Sequence, residues 1–367
     1  MLRSSFWRHF DFWLLGAVIA ALVFGVTMIR SAIAGNENLA DLVPRQIIFG
    51  GIGFVVIILA AAIDYRFWSG AIVPMYAVIV ITLLLLFIIG GARFGATRWI
   101  ETGLVSIQPT ELAKIVIILT LANFFARTVE LPHSWGWLIK SLFLAVGIAG
   151  LIFIQPNLSN VIVIMVLWVA MAWLAGLQLK QVGIMLLISI VLGVIAFFFF
   201  LQPYQQQRIT TFLSPPENAS YGATYNVLQA LAALGSGGWV GKGYGHGTQT
   251  QLRFMKVRHN DFIFSVIGEE LGFVGALFVL ALLGFIIYRC LLAARRARDP
   301  FGSMIAYGVA ILIFFQAVVN IAVNLNLIPV TGISLPFISY GGSGLISLML
   351  GIGLVESVAL RHKPLEF

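Results

Sequence analysis

The stretch VRHNDFIFSVIGEE, residues 257–270, gathers Arg258, Asp261, Glu269 and Glu270 in a chain of 367 residues of which only 10% are charged. Carboxylates in such a place have two main uses. One is to cap a helix: aspartate is among the preferred N-cap residues, and a helix N-terminus favours negative charge by about 0.3–1 kcal/mol. The other is to take a proton as a general base. Asp261, Ser265 and Glu269 are spaced i, i+4, i+8, which predicts one shared helix face. Glu269 and Glu270 lie deeper in an apolar run, where a carboxylate is a functional candidate by default.

Other stretches carry similar choices. In QPTELAKI (108–115), Glu111 and Lys114 share a helix face three residues apart. Two unpaired charges at the bilayer centre would cost roughly 5–7 kcal/mol together. They form either a structural ion pair or the wall of a polar cavity that touches substrate. In GGARFGATRWIE (90–101), Arg93 and Arg98 have the geometry to read phosphate; the plainer reading is an interfacial loop anchored by Trp99. QPNLSN (155–160) reads as a tight turn, because the residue before Pro156 is pushed out of helical conformation. NLIPVTGISLPFISYGGSG (326–344) is apolar but broken by two prolines and four glycines. Irregular backbone at membrane depth is tolerated only when buried in protein or lining a cavity, so this segment is expected to dip inward. Asn320, Asn324 and Ser343 either line that cavity or pack between helices. The run GSGGWVGKGYGHG (235–247) is no P-loop, since Ser236 and Gly243 stand where a glycine and a Ser or Thr are required.

The elements that must position these residues are membrane helices. The chain is 60% hydrophobic with a mean hydropathy of +1.01, against roughly half apolar for a soluble domain. Its charges are separated by apolar runs of about 20 residues, the length that crosses the hydrocarbon core. Such runs must be helical to satisfy their own backbone. Ten spans are expected, at about 12–31, 46–63, 69–90, 109–127, 135–154, 158–176, 181–201, 262–289, 303–327 and 339–360. The fold class is therefore an all-α integral membrane protein forming one polytopic unit over 1–367. Lys and Arg crowd the segments that face inside if the N-terminus is cytoplasmic, most firmly at RRAR (295–298). Ten spans then place both termini in the cytoplasm. One outer loop, 202–261 between spans 7 and 8, is far longer than usual. Its aromatics and its apolar stretch VLQALAAL argue for a segment folded on the outer face, not a linker.

Composition also excludes classes. The pI of 9.8 reflects membrane topology, so no nucleic acid is expected. One cysteine, Cys290, rules out an intrachain disulfide and CxxC metal sites, and the five histidines form no HExxH.

GARFGATRWI with QPTELAKI, QPNLS, ALGSGGWVGKGYGHGTQTQLRFMKVRHNDFIFSVIGEELGFVG and NLIPVTGISLPFISYGGSG together resemble the SEDS family (shape, elongation, division and sporulation), in order and over nearly the whole chain. The short N-terminus and total length are more similar to the elongation members than to the division members. The resemblance implies a peptidoglycan glycosyltransferase that polymerises lipid II, a disaccharide-pentapeptide on undecaprenyl pyrophosphate, at the outer face of the bacterial cytoplasmic membrane. It also implies a class B penicillin-binding protein as the transpeptidase partner. Asp261 falls on the aspartate that the family requires and would be the catalytic base. Arg45, Arg93, Arg98, Lys114 and Arg208 are candidates for the pyrophosphate, with a divalent cation (Mg or Mn) as a further expectation and no organic cofactor. Glu111, Asn157, Glu269, Glu270, Asn324 and Ser343 would support them. Asn157 stands where the family usually has aspartate, and Ser159 where it has glycine, which removes a charge from that turn. Two other readings are a lipid II flippase and a non-enzymatic scaffold that activates its partner. The concentration of polar motifs on the outer half favours chemistry there.

Overall fold

The computed structural model describes residues 9–89, 91–93, 96–101, 106–131, 133–213, 223–252, 254 and 258–362. Helices α1 (Phe12–Ala32), α2 (Leu42–Ala62), α3 (Tyr65–Ile89), α4 (Pro109–Arg127), α5 (Trp135–Ile154), α6 (Leu158–Leu174) and α7 (Leu179–Phe199) come first. Three helices then follow the last of these without crossing length: α8 (Pro203–Leu213), α9 (Ala223–Ser236) and the single turn α10 (Thr248–Gln251). The chain ends with α11 (Ile263–Arg296), α12 (Pro300–Asn324) and α13 (Gly342–Leu360). Nine of these helices are long and apolar enough to span a membrane, and α6 is a shorter apolar helix beside them. The chain is thus a multi-pass membrane protein, with helix limits within four residues of those read from the apolar runs, except that α11 runs seven residues past the expected end at 289. A small antiparallel sheet is added between α3 and α4, formed by β1 (Gly91–Arg93), β2 (Ala96–Glu101) and β3 (Ser106–Ile107) in the order β1-β2-β3.

The alternation of crossings sorts the connections onto two faces. Among the described residues, 33–41, 91–93, 96–101, 106–108, 155–157, 200–213, 223–252, 254, 258–262 and 325–341 lie at one face, and 63–64, 128–131, 133–134, 175–178 and 297–299 at the other. Asp261, the start of QPTELAKI, the QPN turn, the irregular segment 325–341 and the glycine-rich run belong to the first, and the RRAR cluster to the second. The second is stapled by ion pairs: Arg289 to Asp11 at 2.6 Å and Arg66 to Asp299 at 2.8 Å. The core runs along α4, α12 and α13, whose buried residues include Ile117, Ile118, Ile305, Val309, Ile352 and Val355. By contrast α7 buries only Gln181 and presents the rest of its apolar surface outward.

The length of α11 has a specific cause. At 34 residues it exceeds a roughly 30 Å core at 1.5 Å per residue, and it is interrupted at Gly272, with φ 66° and ψ −160°. The interruption breaks two helical hydrogen bonds, from Phe273 N–H to the Glu269 carbonyl and from Val274 N–H to the Glu270 carbonyl. The glycine-rich run restores all four groups. Lys242 and Gly243 N–H donate to the Glu269 and Glu270 carbonyls at 3.0 and 2.9 Å, while Phe273 and Val274 N–H donate to Gly238 and Trp239 carbonyls at 2.9 and 3.1 Å. The approach needs glycine. A Cβ on Gly237 would lie 1.8 Å from the Gly268 carbonyl oxygen, and one on Gly241, at φ +78°, would lie 2.2 Å from that of Glu270.

Candidate functional site around Asp261

Asp261 lies in a turn, 258–262, that leads into α11. The helix starts two residues later and its N-cap position is Phe262, with no side-chain cap bond. The cap reading of Asp261 is therefore corrected: its carboxylate does not hold the helix end. The shared face predicted for Asp261, Ser265 and Glu269 is corrected as well, because Asp261 precedes the helix. Asn324 on α12 supplies the missing acceptor. Its Oδ1 accepts from Ser265 N–H at 3.0 Å and from the Ser265 hydroxyl at 2.7 Å. Its Nδ2 donates to the Asp261 carbonyl at 2.9 Å. Asn320, one turn earlier, donates to the same carbonyl at 3.1 Å and to that of Ile333 at 2.8 Å.

The neighbouring peptides are pinned by the irregular segment 325–341. The Ser339 hydroxyl donates to the Asn260 carbonyl at 2.7 Å, and Tyr340 N–H to that of His259 at 3.1 Å. Gln46, fully buried on α2, holds this segment in turn, donating to the Ser339 carbonyl and accepting from Gly341 N–H, each at 3.3 Å. The segment is indeed inside the protein: Ile333, Leu335, Phe337 and Ile338 are all buried. It also leans on α1, where a Cβ on Gly25 would fall 2.6 Å from the Ile338 carbonyl oxygen.

The Asp261 carbonyl is thus held by two asparagines and the two preceding carbonyls by the segment 325–341, while the buried Oδ1 of Asp261 has no hydrogen-bond partner. Burial pushes the carboxyl up to about 6, against the opposing pull of the Arg208 charge. A carboxylate tuned near neutrality has the affinity a general base needs. His259 beside it is driven the other way, to about 4, by burial and by the Arg258 charge, so it is neutral at pH 7. Its ring meets Tyr340 edge to face, with centroids 6.1 Å apart. Arg258 donates to the Ala32 carbonyl and ties the turn to α1.

The remaining predicted residues fall into groups. Arg208, on α8, is near enough to act on Asp261 and also donates to the Val330 carbonyl at 3.3 Å. Arg45 pairs with Asp41 at 3.9 Å, where both are exposed, and reaches the Tyr340 hydroxyl. Lys114 and Glu111 form a close pair at 2.7 Å, with Lys114 only 2% exposed. The start of α4 that carries them is bonded to α13 and α6. The Ser347 hydroxyl donates to the Glu111 carbonyl at 2.6 Å, the Ser343 hydroxyl accepts from Gln108 N–H at 3.3 Å, and Asn160 donates to the Thr110 hydroxyl at 3.1 Å. Asn157 is buried with its Nδ2 unpartnered, and the Ser159 hydroxyl donates to the Thr331 carbonyl. Arg93 and Arg98 occupy strands β1 and β2, but their side chains lie outside the described residues.

Glu269 and Glu270 turn away from Asp261 toward the glycine-rich run and α1. Glu269 is fully buried and accepts from Lys242 Nζ (3.1 Å), Gln249 N–H (2.8 Å), Thr250 N–H (3.0 Å) and the Thr250 hydroxyl (2.8 Å). Glu270 receives the Ser31 hydroxyl at 2.5 and 2.7 Å. Sequence reasoning missed Gln46, Ser339 and Tyr340. The one signal for Gln46 was a second polar side chain, next to Arg45, at the start of a long apolar run. Two hollows, of about 400 Å³ beside Asp11 and Arg289 and about 480 Å³ beside Arg30 and Val43, are both lined without Asp261.

The family model described as "Cell cycle protein" (FtsW, RodA, SpoVE) matches residues 8–363. The chain belongs to this family. It is 36% identical to the peptidoglycan glycosyltransferase MrdB of Escherichia coli K12, over 99% of this chain and 98% of that one. It is 35% identical to a probable peptidoglycan glycosyltransferase FtsW of Marinobacter nauticus, over 94% and 88%. Among solved structures it resembles a chain of a peptidoglycan synthase complex that coordinates polymerization and crosslinking, with TM-score 0.81 at 29% identity over 96% of this chain and 98% of that one. It also resembles the Thermus thermophilus rod shape determining protein RodA, with TM-score 0.71 at 28% identity over 96% and 97%.

Proposed function

We propose that this member of the FtsW/RodA family polymerises peptidoglycan glycan strands from lipid II, and that Asp261 is its general base. The observation that carries the reading is a carboxylate with a firmly held backbone and an unpartnered oxygen, at the face where the polar motifs meet. In the reaction, the 4-hydroxyl of one lipid II sugar attacks C1 of the lipid-linked strand. Asp261 accepts the hydroxyl proton as the new bond forms. Undecaprenyl pyrophosphate leaves with the bonding pair, and direct displacement turns an α-linked donor into a β-1,4 link. The growing negative charge is met by fixed cations. Arg208 is the one beside Asp261, and Arg45, Arg93, Arg98 and Lys114 are the other candidates.

A divalent cation, Mg or Mn, fits in a sparse manner. Among the described residues, no group of three or more His, Cys, Asp or Glu side chains converges. Pyrophosphate oxygens and water would make up most of the shell, as is common for Mg. Bound there, the ion would neutralise charge on the leaving group. The resemblance to a chain of a synthase complex supports a penicillin-binding protein as the working partner. The likeness to a rod shape determining protein supports a role in rod shape and elongation, and the Arg cluster at 295–298 supports cytoplasmic termini with Asp261 outside.

The deciding experiment supplies lipid II to the purified chain with its partner and compares wild type with Asp261→Asn and Asp261→Ala. Glycan strands should form with wild type only. Strands made at the wild-type rate by both variants would remove Asp261 from the chemistry. Lipid II translocation in vesicles that survives both substitutions, without polymer, would point to a flippase.

A further inference from the structure

Asp261 and Ser265 are four residues apart, so the Asp261 carbonyl and the Ser265 N–H are the two ends of the next hydrogen bond that α11 would make if it began earlier. That bond is absent, and one side chain meets both ends, the Ser265 N–H being shared with the Phe262 carbonyl at 3.1 Å. Asn324 Nδ2 takes the carbonyl at 2.9 Å and Oδ1 takes the N–H at 3.0 Å. The carboxamide stands between them like an inserted peptide group. Its orientation follows from its partners, because Nδ2 faces the Asp261 and Asn320 carbonyls while Oδ1 faces an N–H and a hydroxyl. Two donors and two acceptors are all used, and Asn324 is fully buried.

We propose that Asn324 is a positioning residue, which halts α11 short of Asp261 and thereby keeps the Asp261 carboxylate from becoming the helix cap. The helix has no cis side-chain cap, since Phe262 fills the N-cap position and has no side-chain oxygen to offer. Aspartate is among the strongest caps. A shift of the helix start by one residue would make Asp261 the N-cap, with its carboxylate on the Ile263 or Phe264 amide. Without Asn324, the local sequence favours that arrangement, and the base is withdrawn from substrate. This inference rests on the reading of Asp261 as the base.

The test compares Asn324→Ala with the isosteric Asn324→Asp, measuring lipid II polymerisation against pH. Wild type should lose activity as pH falls through about 6, where Asp261 takes up its proton. In Asn324→Ala the carboxylate accepts backbone N–H bonds, which favour its charged form. The rate should drop by about tenfold or more while the acid limb moves to lower pH. Asn324→Asp keeps the acceptor for Ser265 and adds a like charge near Asp261, so its limb should stay or move up. A structure of Asn324→Ala should show α11 starting one residue earlier. A rate loss with an unmoved limb, or the same shift in both variants, overturns the positioning role. If Asn324→Ala does not fold, a downward shift in Asn324→Asp alone overturns it. Failure of the base reading shows separately: the wild-type acid limb would then persist in Asp261→Asn.

Discussion

Glu269 and Asp261 are carboxylates on one short stretch of chain, and the fold treats them in opposite ways. Glu269 is fully buried and saturated, with Lys242, two backbone N–H groups and the Thr250 hydroxyl all donating to it. Asp261 keeps an oxygen without a partner, although its carbonyl is held by two asparagines. A saturated buried charge is a fastener. It compensates its own desolvation and has no lone pair left for a substrate. An orphaned carboxylate oxygen costs stability and persists where function uses it. Depth in the membrane, which first drew notice to Glu269 and Glu270, is thus a poorer guide to chemistry than the count of donors around each group.

The comparison breaks most sharply by substitution. Asp261→Asn should lower polymerisation by roughly 100- to 10,000-fold, the usual contribution of a general base, with the thermal midpoint of the purified protein unchanged or raised. A matching loss of thermal stability would mean that Asp261 is also a fastener. Lys114→Met should act the other way first: it strands Glu111, and breaking a buried pair costs on the order of 3–5 kcal/mol. Adding Glu111→Leu should restore the thermal midpoint. If activity returns with it, the pair is structural; if not, Lys114 touches substrate. Glu269→Gln should cost about 1.5–3 kcal/mol, the scale of hydrogen bonds to a charged group. Amide exchange should quicken across 237–250 while the acid limb of activity stays near pH 6. That limb has a defined sign. Protonation below about 6 removes the base, and His259, neutral above about 4, adds no second inflection near neutrality.

The helices were legible because each apolar run must satisfy its own backbone in lipid, and α4 and α5 begin and end where the sequence placed them. The inward course of 326–344 was legible for the same reason, from prolines and glycines in an apolar stretch. The start of α11 was legible to one residue, 262 against Ile263, but what holds that start was not. Helix caps are read from the residue next to the helix in sequence, and here the acceptor is Asn324, 59 positions from the Ser265 it holds. The break at Gly272 was hidden likewise. Its four freed backbone groups are paired by the run 238–243, a non-local match that a lone glycine in an apolar stretch does not announce. The small sheet between α3 and α4 was read as loop because its strands are short and carry two arginines and a glutamate.

The smallest expected effect concerns Ser343, which was grouped with the supporting residues. Its hydroxyl accepts from Gln108 N–H at 3.3 Å, a long bond at the first turn of α4. The amide sits just before a helix N-terminus, where backbone N–H groups need outside partners. Ser343→Ala should therefore cost no more than about 0.5–1.5 kcal/mol, the net worth of one neutral hydrogen bond. Its neighbour Ser347 donates to the Glu111 carbonyl at 2.6 Å, a shorter bond that bears directly on the Glu111–Lys114 turn. Ser347→Ala should exceed Ser343→Ala in thermal destabilisation, and neither should shift the pH dependence of polymerisation, because neither touches the Asp261 turn. A shift of the acid limb in Ser343→Ala would join the start of α13 to the base. The boundary between fasteners and chemistry would then lie further from Asp261 than its own hydrogen bonds reach.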